Sequence, residues 1–116
     1  MLFRASPAIL YKFLTTPSCL VRWFCDRVDI NEDVYTFTWD GYDENAELVD
    51  DIEEERLRFI WEDAEEGEYL EFRMSKSPVT NETILEVFDF ADEDEVEDQK
   101  QLWESQFKQL RMETGG

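Results

Sequence analysis

Alternating residues between positions 34 and 90 constrain the fold of this chain more than any other feature. In "DVYTFTW" the aromatic residues Tyr35, Phe37 and Trp39 recur at every second position, and this spacing predicts a strand with one aromatic face. Four further segments also read as strands: "NAELVDDIE", "RLRFIWE", "YLEFRMS" and "TILEVFDF". Turn-forming residues such as Asp40 and Gly41 separate them. The sequence therefore predicts an antiparallel meander.

The same alternation predicts which side chains face the core. The predicted inward-facing residues of the middle strands are Ala46, Leu48, Ile52, Leu57, Phe59, Trp61, Leu70, Phe72 and Met74. Asp50 falls on the apolar side of its strand. The last strand is apolar on both faces except at Glu86 and Asp89, so its orientation stays open at this stage.

Two short helices are predicted near the start of the chain, in "SPAILYKFLTTPSCLVRWF". Ser6 can cap a first helix that begins at Pro7, because proline at the first helical position loses no hydrogen bond. Pro17 ends that helix, and Ser18 can cap a second, shorter one. The apolar residues are Ile9, Leu10, Phe13 and Leu14 in the first helix and Leu20, Val21, Trp23 and Phe24 in the second.

A long amphipathic helix is predicted at the other end, over residues 94–112. Its apolar stripe, with steps of three and four, runs through Val96, Lys100, Trp103, Phe107 and Leu110. Acidic residues crowd its first turns and basic residues its last, which suits the helix dipole at both ends. This helix is predicted to cover the aromatic face of the meander, with the two short helices closing one end of the groove.

Acidic residues dominate the charge of the chain. It carries 30 Asp and Glu against 11 Lys and Arg, a formal net charge of −19 over 116 residues. Because nucleic-acid binding depends on Lys and Arg that neutralise phosphates, this charge argues against nucleic acid and anionic membrane surfaces as partners. A solvated acidic surface is the favoured interpretation, and attraction of a basic protein partner is the alternative.

Length and segment composition predict a single domain over residues 1–116. No segment reads as a signal peptide and no apolar run is long enough to cross a bilayer, so we expect a cytoplasmic protein without membrane insertion. Cys19 and Cys25 match neither a CxxC redox motif nor a zinc pattern, and we expect both to be reduced and partly buried.

Catalytic and metal-binding signatures do not emerge from the sequence. The chain has no histidine, no glycine-rich phosphate loop and no EF-hand spacing, so we predict no catalytic residue, metal site or cofactor. Asp50 and Asp89 are the two carboxyl groups in apolar surroundings that could serve acid–base chemistry. A structural carboxylate near a sheet edge is the favoured interpretation for both.

Several motifs, in order, resemble the START-like (SRPBCC) domains, and among them the family similar to the C-terminal domain of the Hsp90 ATPase activator. The matching residues of the opening segment are Pro7, Tyr11, Leu14, Thr16, Pro17, Leu20, Trp23 and Phe24. The "TPS" turn, "YLEFR", "DFADEDE" and "LWESQ" resemble a bacterial group of small START-like proteins. The resemblance implies an α+β helix-grip fold: a curved antiparallel sheet around a long C-terminal helix.

The first strand, "LFRA", looks clipped beside these relatives. A short first strand would leave a sheet edge open, and an open edge could pair across a two-fold axis, so a homodimer is predicted as an alternative to a monomer.

The resemblance implies a groove between sheet and helix rather than a reaction, because family members variously bind hydrophobic molecules, act on polyketides or contact a chaperone. The candidate lining residues are Tyr35, Phe37, Trp39, Phe59, Trp61, Phe72, Trp103 and Phe107. These aromatic side chains either line a pocket or fill the core completely, and both interpretations stay open.

Three functional hypotheses follow. The first is non-enzymatic binding of a small hydrophobic, lipid-like ligand between the sheet and the C-terminal helix. The second is an acidic protein-interaction module with a filled core, similar in role to an Hsp90 co-chaperone domain; it would use the stretch Asp29–Glu55, which contains no Lys or Arg. An enzyme of the polyketide-cyclase kind comes last, because the chain lacks histidine.

Overall fold

The computed structural model describes all 116 residues and contains one seven-stranded antiparallel sheet with helices on its concave side. The strands lie in the order β1-β7-β6-β5-β4-β3-β2. The elements are β1 (Leu2–Phe3), α1 (Pro7–Thr15), α2 (Pro17–Leu20), β2 (Arg27–Asn31), β3 (Val34–Trp39), β4 (Tyr42–Ile52), β5 (Arg56–Trp61), β6 (Leu70–Lys76), β7 (Thr83–Phe88), a 3-10 turn (Glu93–Glu95) and α3 (Val96–Glu113). The predicted α+β helix-grip architecture is confirmed.

The first short helix begins where the sequence predicts, whereas the second begins and ends earlier than predicted. Ser6 caps α1 by accepting a hydrogen bond from the backbone N–H of Ile9 at 3.3 Å, and Pro7 occupies the first turn. The residue that precedes α2 is Thr16 rather than Ser18, and α2 stops at Leu20. The segment 21–24 forms turns instead, yet two of its aromatic side chains are buried, as shown below.

Strand β2 is absent from the sequence prediction. Its five residues, "RVDIN", hold only two apolar side chains, Val28 and Ile30, and a turn through Glu32 with φ of 56° leads directly into β3. Val28 lies opposite Phe37 in the register and is buried. A short edge strand with charged residues gives a weak hydrophobic signal, because only Val28 and Ile30, two residues apart, face the core side of the sheet.

A bulge in β4 corrects the predicted facing of Asp50 and Ile52. Leu48 pairs with Phe59, but the next paired residue of β4 is Asp50, opposite Arg58, so Val49 has no partner. One extra residue reverses the alternation from that point on. Asp50 and Ile52 therefore lie on the convex face of the sheet, where Asp50 accepts a hydrogen bond from Arg56 Nε at 2.9 Å and forms a salt bridge with Arg56 Nη2 at 2.8 Å.

Strand β7 faces the core with Thr83, Leu85 and, half-buried, Val87. This settles the orientation that the sequence left open. The hydroxyl of Thr83 donates to the Ala5 carbonyl at 2.7 Å, which ties the segment after β1 to the sheet. Phe3 is fully buried on the same side.

Helix α3 spans Val96–Glu113 rather than 94–112, because residues 93–95 form a separate 3-10 turn. Trp103, Phe107 and Leu110 are buried against the sheet as predicted, whereas Lys100 is exposed. No helix of the structure is long and apolar enough to cross a membrane.

Both cysteines are free and buried. Burial first, and the negative charge of Asp26 second, raise the pKa of the Cys25 thiol to about 11. A thiol of this kind stays protonated at neutral pH and is a poor nucleophile.

Candidate functional site

Aromatic side chains fill the centre of the space between sheet and helices. Phe24, from the turn after α2, packs against Phe37 of β3 at 5.0 Å between ring centroids and stacks on Trp103 of α3 at 5.9 Å. Trp23 lies beside it and contacts Phe72 of β6 at 6.4 Å. These rings form one continuous cluster across the domain.

The remaining void at this centre measures about 10 Å³, close to the minimum for a single water molecule. Its lining includes the predicted residues Phe37, Phe59 and Phe72. Tyr35, the fourth predicted residue of this region, is buried beside Phe59 at 5.0 Å between ring centroids. Burial, followed by the charge of Asp51, raises the pKa of Tyr35. These four side chains lie in a closed core.

An open groove of about 520 Å³ lies beside the closed core, between the ends of β3 and β5 and helix α3. We call it the tryptophan groove, since three of the predicted site residues, Trp39, Trp61 and Trp103, line it. Its lining residues are Phe24, Trp39, Glu44, Trp61, Asp63, Asp89, Phe90, Gln99, Leu102, Trp103 and Gln106. The structure thus divides the predicted set into a packed part and an open part.

Two of these tryptophans have their indole N–H groups satisfied by the protein. Trp39 Nε1 donates to the Phe24 carbonyl at 2.7 Å, and Trp103 Nε1 donates to Asp89 Oδ2 at 3.0 Å. No buried side-chain nitrogen or oxygen lacks a hydrogen-bond partner. The partners expected for buried tryptophans are therefore supplied by a carbonyl and a carboxylate rather than by a ligand.

Asp89 is the polar centre of the groove wall. One carboxylate oxygen, Oδ2, accepts hydrogen bonds from Trp103 and from Gln99 Nε2 at 2.6 Å, and Oδ1 accepts one from the Phe90 backbone at 2.8 Å. These bonds connect the end of β7 to α3, which is the structural role that the sequence favours for Asp89.

Two further carboxylates, Glu44 and Asp63, lie at the rim of the groove and are exposed. Glu44 pairs with Phe37 in the register, so it stands on the concave face of the sheet. The sequence prediction missed Glu44 because β4 begins at Tyr42 and not at Asn45. Continuing the alternation backwards from Ala46 would have found it.

A second pocket, of about 350 Å³, lies on the other side of α3. Trp103 and Phe107 are its predicted residues, and Lys100 and Glu104 give it both signs of charge. Every predicted lining residue thus belongs to the closed core, the tryptophan groove or this second pocket.

The convex face carries an ionic cluster that the sequence prediction missed. Glu71 of β6 is fully buried between two arginines: Arg58 Nε donates to Oε1 at 2.6 Å, and Arg73 Nε donates to Oε2. The guanidinium groups also lie over aromatic rings, Arg58 at 4.1 Å from the Tyr69 centroid. Burial alone would raise the pKa of Glu71, but the bonds from both arginines outweigh it and lower that pKa. The sequence signal for this cluster was available: Arg56 and Arg58 alternate on β5, and Arg73 follows Glu71 at the second position along β6.

Comparison with known proteins gives a family model and several solved structures. The model of a START-like superfamily domain matches residues 1–116. The solution structure of BfR322 from Bacteroides fragilis is 36% identical, with a TM-score of 0.67, and the match covers 99% of this chain and 87% of that one. No match was found among curated proteins.

Two more distant structures share the fold. The Aha1 dimer from Colwellia psychrerythraea is 17% identical with a TM-score of 0.82, covering 98% of this chain and 91% of that one. DynU16, from the dynemicin biosynthetic locus, is 20% identical with a TM-score of 0.79, covering 99% of this chain and 46% of that one. The family match confirms the resemblance inferred from the sequence motifs.

Proposed function

Because this chain belongs to the START-like superfamily, we propose that it binds a small apolar ligand in the tryptophan groove, between the concave face of the sheet and α3. The observation that carries the proposal is the groove itself: about 520 Å³ of open space walled by Trp39, Trp61 and Trp103. Ligand sites in proteins are concave, mostly apolar and of roughly 300–1,000 Å³. The closed core holds no comparable space.

Binding without catalysis is the form of this function that we propose. The chain has no histidine, and Asp89, the hydrogen-bonded carboxylate of the groove, holds Gln99 and Trp103 in place. Asp50, the other acid–base candidate, is paired with Arg56 on the far face of the sheet. Conversion of a bound compound into a product during incubation would contradict this part of the proposal.

Titration with diphenylhexatriene, an apolar dye that becomes fluorescent in apolar surroundings, tests the groove. We expect saturable binding to the intact protein and about tenfold weaker binding to Trp61→Leu, because the dye loses an aromatic wall. Ile60→Ala is the matched control, since Ile60 neighbours Trp61 but is exposed on the convex face. Absence of saturable binding, or equal losses in the two variants, would contradict the proposal.

A protein-interaction role is the second candidate, and the filled core favours it. The stretch Asp29–Glu55 covers the end of β2 and the whole of β3 and β4 and contains no Lys or Arg, so its charge is available to a basic partner. Such binding would weaken steeply as salt rises and would not respond to Trp61→Leu. Those two responses separate this role from ligand binding.

We also propose that this protein forms a homodimer, independently of what it binds. The two residues of β1 pair with Thr83 and Ile84, so the outer edge of β7 beyond Leu85 carries no neighbouring strand. A fold neighbour of this chain was solved as a dimer. Light scattering that gives only the monomer mass of 13.9 kDa at high concentration would remove the dimer.

A further inference from the structure

We propose that the tryptophan groove selects organic cations: molecules with an apolar frame and a protonated amine or quaternary ammonium group. This inference rests on the proposed function, because it specifies the chemistry of the ligand that the same groove takes. Three observations carry it: the charge of the lining, the hydrogen-bonding capacity of the wall, and the contrast with the pocket on the other side of α3.

The charged lining residues of the groove all have the same sign. Glu44, Asp63 and Asp89 contribute three carboxylates, and no Lys or Arg lines the groove. None of the three forms a salt bridge, although six salt bridges occur elsewhere in the structure. The carboxylates of Glu44 and Asp63 are therefore available to a ligand, and Asp89, whose oxygens accept hydrogen bonds from the protein, adds negative charge to the wall. Apolar walls beside them lower the local dielectric and strengthen the attraction.

Glu44 stands where the strand pattern calls for an apolar residue. Its register partner is Phe37, and the next residue of β4 on the same face is Ala46, which is buried. Glu44 is exposed at the rim, and it shares the concave face with Trp39 and Trp61. A carboxylate in the same groove as several indole rings is an arrangement suited to a cation, because aromatic rings attract cations through their negative faces.

The groove wall offers acceptors and ring faces, while its donors are mostly used within the protein. The indole N–H groups of Trp39 and Trp103 donate to Phe24 and Asp89. Gln99 Nε2 donates to Asp89 at 2.6 Å, and Gln106 Nε2 donates to the Phe24 carbonyl at 3.5 Å. An anionic head group would find few donors here, because an anion needs hydrogen-bond donors or cations.

The pocket on the other side of α3 differs in charge. It has Lys100 beside Glu104 and Asp89, so cationic and anionic groups face the same space. Of the two pockets that flank α3, only the tryptophan groove has charged lining residues of a single sign.

Three dyes with one apolar frame test the inference: diphenylhexatriene, its trimethylammonium derivative and its propionate derivative. We expect the cationic dye to bind about tenfold tighter than the neutral one and the anionic dye to bind weakest. The double variant Glu44→Gln/Asp63→Asn should remove most of the cationic preference and leave the neutral dye unaffected. The preference should also shrink as salt screens the rim carboxylates.

The matched control is Asp29→Asn/Glu47→Gln, which changes the net charge by the same amount on the convex face. It should leave the preference intact. If both double variants reduce it equally, the preference is a general effect of the acidic chain and the inference is wrong. Equal affinities for all three dyes would overturn the inference while leaving apolar-ligand binding standing.

Failure of all three dyes to bind would overturn the proposed function and this inference together. Competition with a basic peptide such as oligolysine tests the remaining alternative, which is that the carboxylates bind a basic protein. If it displaces the cationic dye, and its own affinity is unchanged by Trp61→Leu, the carboxylates serve a protein surface, and selection of a small cation is wrong.

Discussion

The closed core and the tryptophan groove are built from the same kind of side chain, yet one leaves about 10 Å³ and the other about 520 Å³. Phe24 makes the difference. It lies in the turn after α2 and packs against Phe37, Trp39 and Trp103, which closes the centre. Beyond Phe24, Trp61 contacts Phe37 and Trp39 but is only half-buried. Aromatic content therefore does not predict a pocket in this fold; the position of one plugging ring does.

A second contrast separates the acids of the two sheet faces. Glu71 on the convex face is fully buried and bonded to two arginines, whereas Glu44 on the concave face has no salt-bridge partner. Removing one partner of a buried ion pair leaves the other charge uncompensated, so Glu71 matters for stability, whereas the charge of Glu44 remains available to a ligand.

The largest expected effect on stability comes from removing the Phe24 ring, which closes the centre of the core. Phe24→Ala deletes a buried ring at the centre of the aromatic cluster and should lower the free energy of unfolding by about 3–5 kcal/mol. Chemical denaturation measures this loss. Phe90→Ala, at an exposed ring of the groove rim, is the control and should cost about 1 kcal/mol or less. Equal costs at the two positions would mean that Phe24 does not separate closed from open space.

Glu71→Gln should lower the free energy of unfolding by about 2 kcal/mol. The change leaves Arg58 and Arg73 without their shared anion: the single amide oxygen can accept from only one arginine, more weakly than the carboxylate, and the amide NH2 cannot accept from the other. Glu47→Gln, an exposed position on the same face, should change stability by about 0.5 kcal/mol or less. A Glu71 variant as stable as the intact protein would show that the cluster contributes nothing.

Acid pH should remove the contribution of Glu71 to the free energy of unfolding. Its pKa lies below the usual 4.5 in the folded protein, so the unfolded chain binds more protons as pH falls through that range. The stabilisation is therefore complete above about pH 5 and is lost as pH falls through the folded pKa. Unfolding curves between pH 3 and 7 should show a smaller acid dependence in Glu71→Gln than in the intact protein. Identical slopes would contradict the assignment.

The smallest expected effect on stability belongs to the groove acids. Glu44→Gln breaks no ion pair and should change the free energy of unfolding by about 0.5 kcal/mol or less, while reducing binding of the cationic dye. A loss comparable to that of Glu71→Gln would show that Glu44 is structural.

Much of this fold could be predicted from local pattern. Spacing of two identified the inward faces of Phe37, Phe59 and Phe72, and spacing of three and four identified the buried face of α3. The sequence motifs that resemble START-like domains added the order of the helices and strands. Strand β2 escaped because it has few apolar residues, and the bulge at Val49 escaped because one unpaired residue leaves no trace in composition.

The division of the site could not be predicted, because it depends on tertiary placement. Trp23 and Phe24 read as the apolar face of a helix, but they lie in turns, and only the docking of those turns decides which strand aromatics are covered. Glu71 likewise reads as an outward acid of a strand until Arg58 and Arg73 close over it. Charges on neighbouring strands become partners only through the register.

The four tryptophans give the most direct test, because one lies in the closed core and three line the groove. Their indole N–H signals in a nitrogen–proton correlation spectrum can be followed while diphenylhexatriene is added. We predict that the signals of Trp39, Trp61 and Trp103 shift together and saturably, and that the signal of Trp23 stays in place. A shift confined to Trp23, or no shift in any groove tryptophan while the dye binds, would contradict the distinction between closed core and open groove.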